Sequence, residues 1–228
     1  MDQPSQHAPP ASEQPKPSHD EERPLPPHPI IAFYHPAIQA PYDPRRPTTT
    51  FQDILHWPDA QLESTHDYIQ WLFPVPEASG ASRAAPVLTA SVRDSFRENK
   101  DLKANMVRAC ERMMAFWGFE LDDDPRSAGE HHFRPHSHFQ RAASDSWLQK
   151  FDHNHLRITR VIRSLRILGR ADLAQSMMLA IFQEERRAGS PVSKRTLTIW
   201  HDALDRPTRY PPTYPAVPVC DWLVDAEG

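Results

Sequence analysis

Two short stretches hold the side chains whose types and spacing could do chemistry: "HDYIQWLFP" at 66–74 and "HNHLRITR" at 153–160. In the first, His66 and Gln70 are four residues apart, so on a helix an imidazole and a carboxamide become neighbours able to share a third group. In the second, Arg157 falls at the edge of an apolar helical face, where a guanidinium is partly buried and needs a carboxylate or carbonyl partner, from the protein or from a ligand. If His66, Gln70 and Trp71 face the same pocket as His153, Asn154, Arg157 and Arg160, the pair of strips would bind a polar or anionic small molecule or a peptide end. An enzyme is the alternative: His66 would move a proton while Arg157 held an anionic group. The structural alternative makes the first stretch a central packing helix with its polar tips tied to backbone or water.

The remaining chemistry-bearing residues point less sharply. His132, His136 and His153 are the weak metal candidates, but no cysteines accompany the histidine-rich loop and its spacing matches no closed zinc site, so neither metal nor cofactor is expected. No glycine-rich phosphate loop, nucleophile elbow or zinc helix is present to nominate a reaction. Proline motifs flank the chain. "RPLPPHP" (23–29) sets Arg23 ahead of a proline core around Pro26, the composition read by SH3 domains, and Pro211, Pro212 and Tyr214 form the Pro-Pro-x-Tyr pattern read by WW domains. An adaptor that recruits such domains is therefore a further reading.

Helices must position these groups. "TFQDILHW" offers Thr50 as N-cap with Asp53 completing a capping box, "PDAQLE" restarts on a proline, and "STHDYIQWLFP" is capped by Ser64 with Asp67 and closed before Pro74. Thr89 caps "ASVRDSFREN". A longer helix through Leu102, Met106, Cys110, Met113 and Trp117 stops at Gly118, and "SDSWLQKFD" is a further short one. "NHLRITRVIRSLRILG" ends on Gly169, with Ile158, Val161, Ile162, Leu165 and Leu168 as its apolar face and Arg163, Arg166 and Arg170 on its solvated side. "ADLAQSMMLAIFQEERRAG" and "SKRTLTIWHDAL" complete the set. "AFYHPAIQAPYDPRRP" reads as extended chain, "ELDDDPRSAGEHHFRPHSH" as a broken loop, and "CDWLV" as a tail folded back to bury Trp222 and Leu223. With no alternating run to make a strand, the expected fold is all-α, a bundle of about seven to nine helices with disordered proline-rich termini.

Composition sets the frame. Of 25 prolines, about half precede Thr48, and the 228 residues include only 6 glycines. Residues 1–30 read as a disordered proline-rich arm, 31–205 as one helical domain and 206–228 as a proline-rich tail. A net charge of −4 leaves no footprint for nucleic acid. Two cysteines, Cys110 and Cys220, fit reduced thiols, and with neither a secretory signal nor a membrane-spanning stretch the expected location is intracellular.

Taken in order, "HDYIQWLFP", the helix ending "MMAFWGFEL" and "HNHLRITRVIRSLRILG" resemble the conserved domain of the opioid growth factor receptor family over residues 31–205. That resemblance implies an all-helical domain and, from the animal members, an intracellular receptor for a growth-restraining opioid peptide in cytoplasm or nucleus, described as membrane-associated. It carries over His66, Tyr68, Gln70, Trp71, His153, Asn154, Arg157, Thr159 and Arg160 as motif positions. No catalytic set comes with it. The loop "HHFRPHSHF", the proline-rich ends and the absence of a long repeat tail depart from the family pattern.

Overall fold

Pro29 does not keep the chain extended: a proline at the first helical position is pre-set for a helix, and α1 (Pro29–Tyr34) follows it, with the His28 side chain accepting from the Ile30 amide. The computed structural model describes residues 27–43, 45–80, 82, 85–122, 131–213 and 217–225. Arg23, Pro26 and Tyr214 lie outside the described residues. Helices α2 (Phe51–Leu55), α3 (Asp59–Ser64), α4 (Ile69–Leu72), α5 (Ala90–Glu98) and α6 (Lys100–Phe116) come next, then strands β1 (Phe119–Leu121) and β2 (Phe133–Pro135), then α7 (Phe139–Ser144), α8 (Asn154–Ile167), α9 (Ala171–Arg187), α10 (Lys194–Asp205) and α11 (Asp221–Asp225).

The fold is mostly helical but not all-α. β1 and β2 pair antiparallel, Phe119 opposite Pro135 and Leu121 opposite Phe133, with Glu120 and Arg134 in a cross-strand ion pair of 2.8 Å. Three residues on each side are too short for an alternating pattern. Eleven helices among the described residues also exceed the expected seven to nine, because the short α1 and α11 form in segments read as extended chain and tail. "SDSWLQKFD" forms turns instead of a helix, and the helix lies just upstream at α7. Ser64 ends α3, its hydroxyl donating back to the Ala60 carbonyl, and caps nothing; Asp67 faces Tyr42 and Arg46. The Thr50 capping box and the Thr89 cap form as their sequences specify.

Aromatic surface from the first third of the chain makes one half of the core. Trp71 of α4 sits 4% exposed against the rings of Phe33 and Tyr42, and Tyr34, fully buried, donates its hydroxyl to the Leu72 carbonyl and accepts from Asn105 Nδ2 on its own carbonyl at 2.7 Å. The other half is built round α8, which packs on α9 and α10. Its Ile158, Val161, Ile162 and Leu165 are fully buried. Ser164 ties the halves together, donating to the Pro74 carbonyl at 2.9 Å. Against expectation, Arg163 is buried as well, and Arg166 donates to the Ala203 and Arg206 carbonyls. "CDWLV" does fold back: Leu223 is buried and Trp222 is partly so under Arg93, while Pro212 of the proline-rich stretch is covered as well.

His155 gives this core a pH dependence. The ring is buried against Trp200, its Nε2 lies 2.8 Å from the Trp147 carbonyl, and burial lowers its pKa from the ordinary 6.5, against the raising effects of that carbonyl and Asp152. The native state thus binds the proton more weakly than the unfolded chain, so the contribution is complete above pH 6.5 and declines as pH falls below it. His28 and His131 are shifted the same way. Thermal melts should therefore fall between pH 6.5 and about 5, before the carboxylates titrate, and fall less steeply in His155→Asn. An unchanged slope in that variant would remove His155 from the explanation.

Candidate functional site

The two stretches meet. α4 and its approach lie beside α8 because the Arg157 guanidinium, on the second turn of α8, reaches across to the end of α3: its Nη2 donates to the Glu63 carbonyl (3.2 Å), the Thr65 carbonyl (2.9 Å) and His66 Nδ1 (3.2 Å). A cleft of about 570 Å³ opens alongside, walled by His66, Gln70, His153, Arg157 and Arg160, with Leu156 and Ile199 as its apolar side. Thr159 also lines it, its hydroxyl turned back to the His155 carbonyl. Pro211, Pro212 and Thr213 form the far rim.

Behind the cleft runs a saturated polar network. Asn154, with no exposed surface, takes two donors on Oδ1, from Trp117 Nε1 at 3.4 Å and Arg157 Nη1 at 3.1 Å, and gives Nδ2 to Glu63 Oε2 at 3.1 Å. Glu63 Oε1 meets His153 Nε2 at 3.1 Å, and its Oε2 lies 3.8 Å from Arg157. Arg157, only 5% exposed, also lies over the ring of Tyr68. Burial pushes the Tyr68 phenol up to about 12, against the lowering effect of Arg157, so it stays neutral. An arginine only donates, so where Nη2, with two protons for three neighbours, turns one to His66, it is Nδ1 that accepts. The His66 and His153 rings meet edge to face at 5.5 Å.

The remaining candidates divide. Gln70 is buried, donating Nε2 to the His66 carbonyl and Ser79 Oγ at 3.2 Å each, while its Oε1 has no hydrogen-bond partner among the described residues. Trp71 points the other way, into the aromatic core, and is not part of the cleft wall. Arg163 is spent on the Thr208 and Tyr210 carbonyls and on Glu77. Arg160 differs. It is half-buried on the cleft wall, makes no hydrogen bond or ion pair among the described residues, and has its pKa lowered to about 10 by burial, with Glu77 raising it and Arg163 lowering it further.

The weak metal candidates scatter: His132 lines a hollow against α9, His136 a cavity beside α7, and His153 the cleft. Among the described residues no three potential ligand side chains gather at metal distance. Sequence reasoning missed Glu63 and Glu77, the two carboxylates that organise the arginines. "PDAQLE" marks Glu63 only as a polar helix position, and Glu77 follows two prolines with no periodicity to place it. Trp117 carried a signal, since an indole N–H in an apolar face needs a buried acceptor.

Comparison with known proteins agrees with the two stretches. The family model described as the opioid growth factor receptor conserved region matches residues 31–205. The opioid growth factor receptor of Rattus norvegicus is 37% identical over 139 residues, which is 59% of this chain and 22% of that protein, and that of Homo sapiens is 36% identical over 137 residues, 59% and 19%. Opioid growth factor receptor-like protein 1 of Xenopus tropicalis is 33% identical over 126 residues, 54% of this chain and 23% of that protein. The match thus spans about a fifth of the length of these relatives. No solved structure gives a significant match. The matched region contains both stretches and the cleft wall they form, though not the rim at Pro211, Pro212 and Thr213, and the chain belongs to the opioid growth factor receptor conserved-region family.

Proposed function

We propose that this domain is a binding module whose ligand, a peptide or small molecule, occupies the cleft between α4 and α8, in keeping with the receptor name of its relatives. The observation that carries it is the convergence of two sequence stretches, some ninety residues apart, on one concave wall: His66 and Gln70 from the first, His153, Arg157 and Arg160 from the second. Convergent polar groups beside an apolar wall are what ligand clefts present.

An enzyme reading finds less support, because the group assigned to hold a substrate anion, Arg157, has its donors committed to protein acceptors. An adaptor reading meets a similar obstacle at the tail. Pro212 is covered and Arg206 donates to the Pro211 carbonyl at 3.3 Å, so a WW domain must first detach the segment it reads. No helix among the described residues is long and apolar enough to cross a membrane.

Native mass spectrometry of the purified protein tests the binding reading, against Ile199→Trp, which fills the cleft from α10 and touches none of the arginine network. A small molecule or peptide carried by the wild type and absent from the folded variant supports it. A ligand retained equally by both moves binding elsewhere.

A further inference from the structure

Of the three arginines that α8 turns toward the cleft, two are spent on the fold. Arg157 serves Asn154, Glu63, Thr65 and His66, and Arg163 serves Thr208, Tyr210 and Glu77. Arg160, one turn from each, is half-buried on the same wall with no acceptor among the described residues. A guanidinium withdrawn from water and given no acceptor is unfavourable, and an anionic partner reverses that cost. Beside it stand Leu156, exposed to 71%, and Ile199, apolar surface at the mouth of the same cleft. Glu77, the one carboxylate among the described residues lining this wall, gives Oε1 to Arg163, while its Oε2 is buried without a hydrogen-bond partner and makes no hydrogen bond to Arg160.

We propose that the cleft selects a carboxylate carried on an apolar body, such as the free C-terminus of a peptide ending in an aliphatic residue or an aliphatic acid, with Arg160 as the anion anchor and Leu156 and Ile199 as the seat of the apolar part. This rests on the binding reading above and goes further in naming the ligand class and the residue that reads it. A charge-assisted, bidentate contact at a half-buried arginine distinguishes an acid from its neutral amide by roughly tenfold or more.

Four probes test it on the full chain by protein-observed NMR titration: N-acetyl-leucyl-leucine and its C-terminal amide, and hexanoate and hexanamide. Both the wild type and Arg160→Gln are titrated. The expected result is that at least one acid binds the wild type about tenfold or more tightly than its amide, with shifts at Leu156 and Ile199, and that Arg160→Gln, folded and no less stable, loses the preference. The peptide pair against the aliphatic pair then says which body the apolar wall accepts.

Equal binding of acid and amide, or a preference that survives Arg160→Gln, overturns the anion anchor while leaving the cleft as a binding site. No shift from any probe overturns it too, and with no carried ligand in the mass spectra removes the binding reading as well. The rival arrangement, in which Arg160 turns onto Glu77, predicts instead that Arg160→Gln destabilises the fold as much as Glu77→Gln does; that outcome also overturns the proposal.

Discussion

Arg157→Ala is expected to cost about 2–4 kcal/mol in stability, a large share of what holds a domain of ordinary stability folded. The reason is what stays behind. Removing the guanidinium strips the part-buried Glu63 and Thr65 carbonyls and the fully buried Asn154 Oδ1 of a donor, and takes the arginine away from the partly exposed Glu63 carboxylate. It also deletes the cation lying over Tyr68. Arg157→Lys should recover only part of the loss, because one ammonium cannot serve acceptors that two separate Nη atoms now reach. Urea denaturation of the three proteins measures the effect. If Arg157→Ala unfolds at the wild-type midpoint, the network does not hold α3 to α8, and Arg157 returns to the list of ligand-reading residues.

That prediction separates two roles the sequence could not. "HNHLRITR" carries two arginines three residues apart, and helical periodicity places Arg157 near the apolar face without saying whether its acceptors belong to the protein or to a ligand. The answer lies in Glu63, Thr65 and His66, ninety residues earlier, and in a crossing of helices that local pattern does not encode. What was legible followed from local physics. Thr50 and Thr89 cap helices because their oxygens accept the first free amides, and Gly118, Gly169 and Gly189 end helices because the chain there takes positive φ. Arg157's need for a carbonyl or carboxylate partner was legible too, from burial alone. The hairpin was not, since β1 and β2 owe their pairing to α6, which delivers β1, and to α9, against which β2 packs. Arg163 misled for the same reason: a helix enclosed on several sides buries positions that a two-sided wheel assigns to solvent.

Gly118→Ala is the second large effect, roughly 2–5 kcal/mol, and two controls within the chain dissect it. Gly118 sits at φ +103° between α6 and β1, and a Cβ there would lie 2.9 Å from Phe139 Cδ2, 3.2 Å from the Phe139 carbonyl oxygen and 3.3 Å from its Cα. The ring can rotate, but the backbone atoms cannot move without shifting α7. Gly189 has φ +84° with nothing within 4 Å of its Cβ, so Gly189→Ala should show the conformational strain alone, about 1–2 kcal/mol. Gly80 meets nothing and has no positive φ, so Gly80→Ala should be near neutral. The excess of Gly118 over Gly189 in chemical denaturation is then the contact with Phe139, about 1–3 kcal/mol. A difference under about 0.5 kcal/mol, within the usual range of surface substitutions, would mean that α7 yields freely. Its consequence would reach the cleft, because the neighbouring Trp117 gives its indole N–H to Asn154 and takes the Trp147 indole N–H on its carbonyl. A chain displaced at Gly118 loosens Asn154, and with it the Arg157 clamp that holds the cleft wall in place.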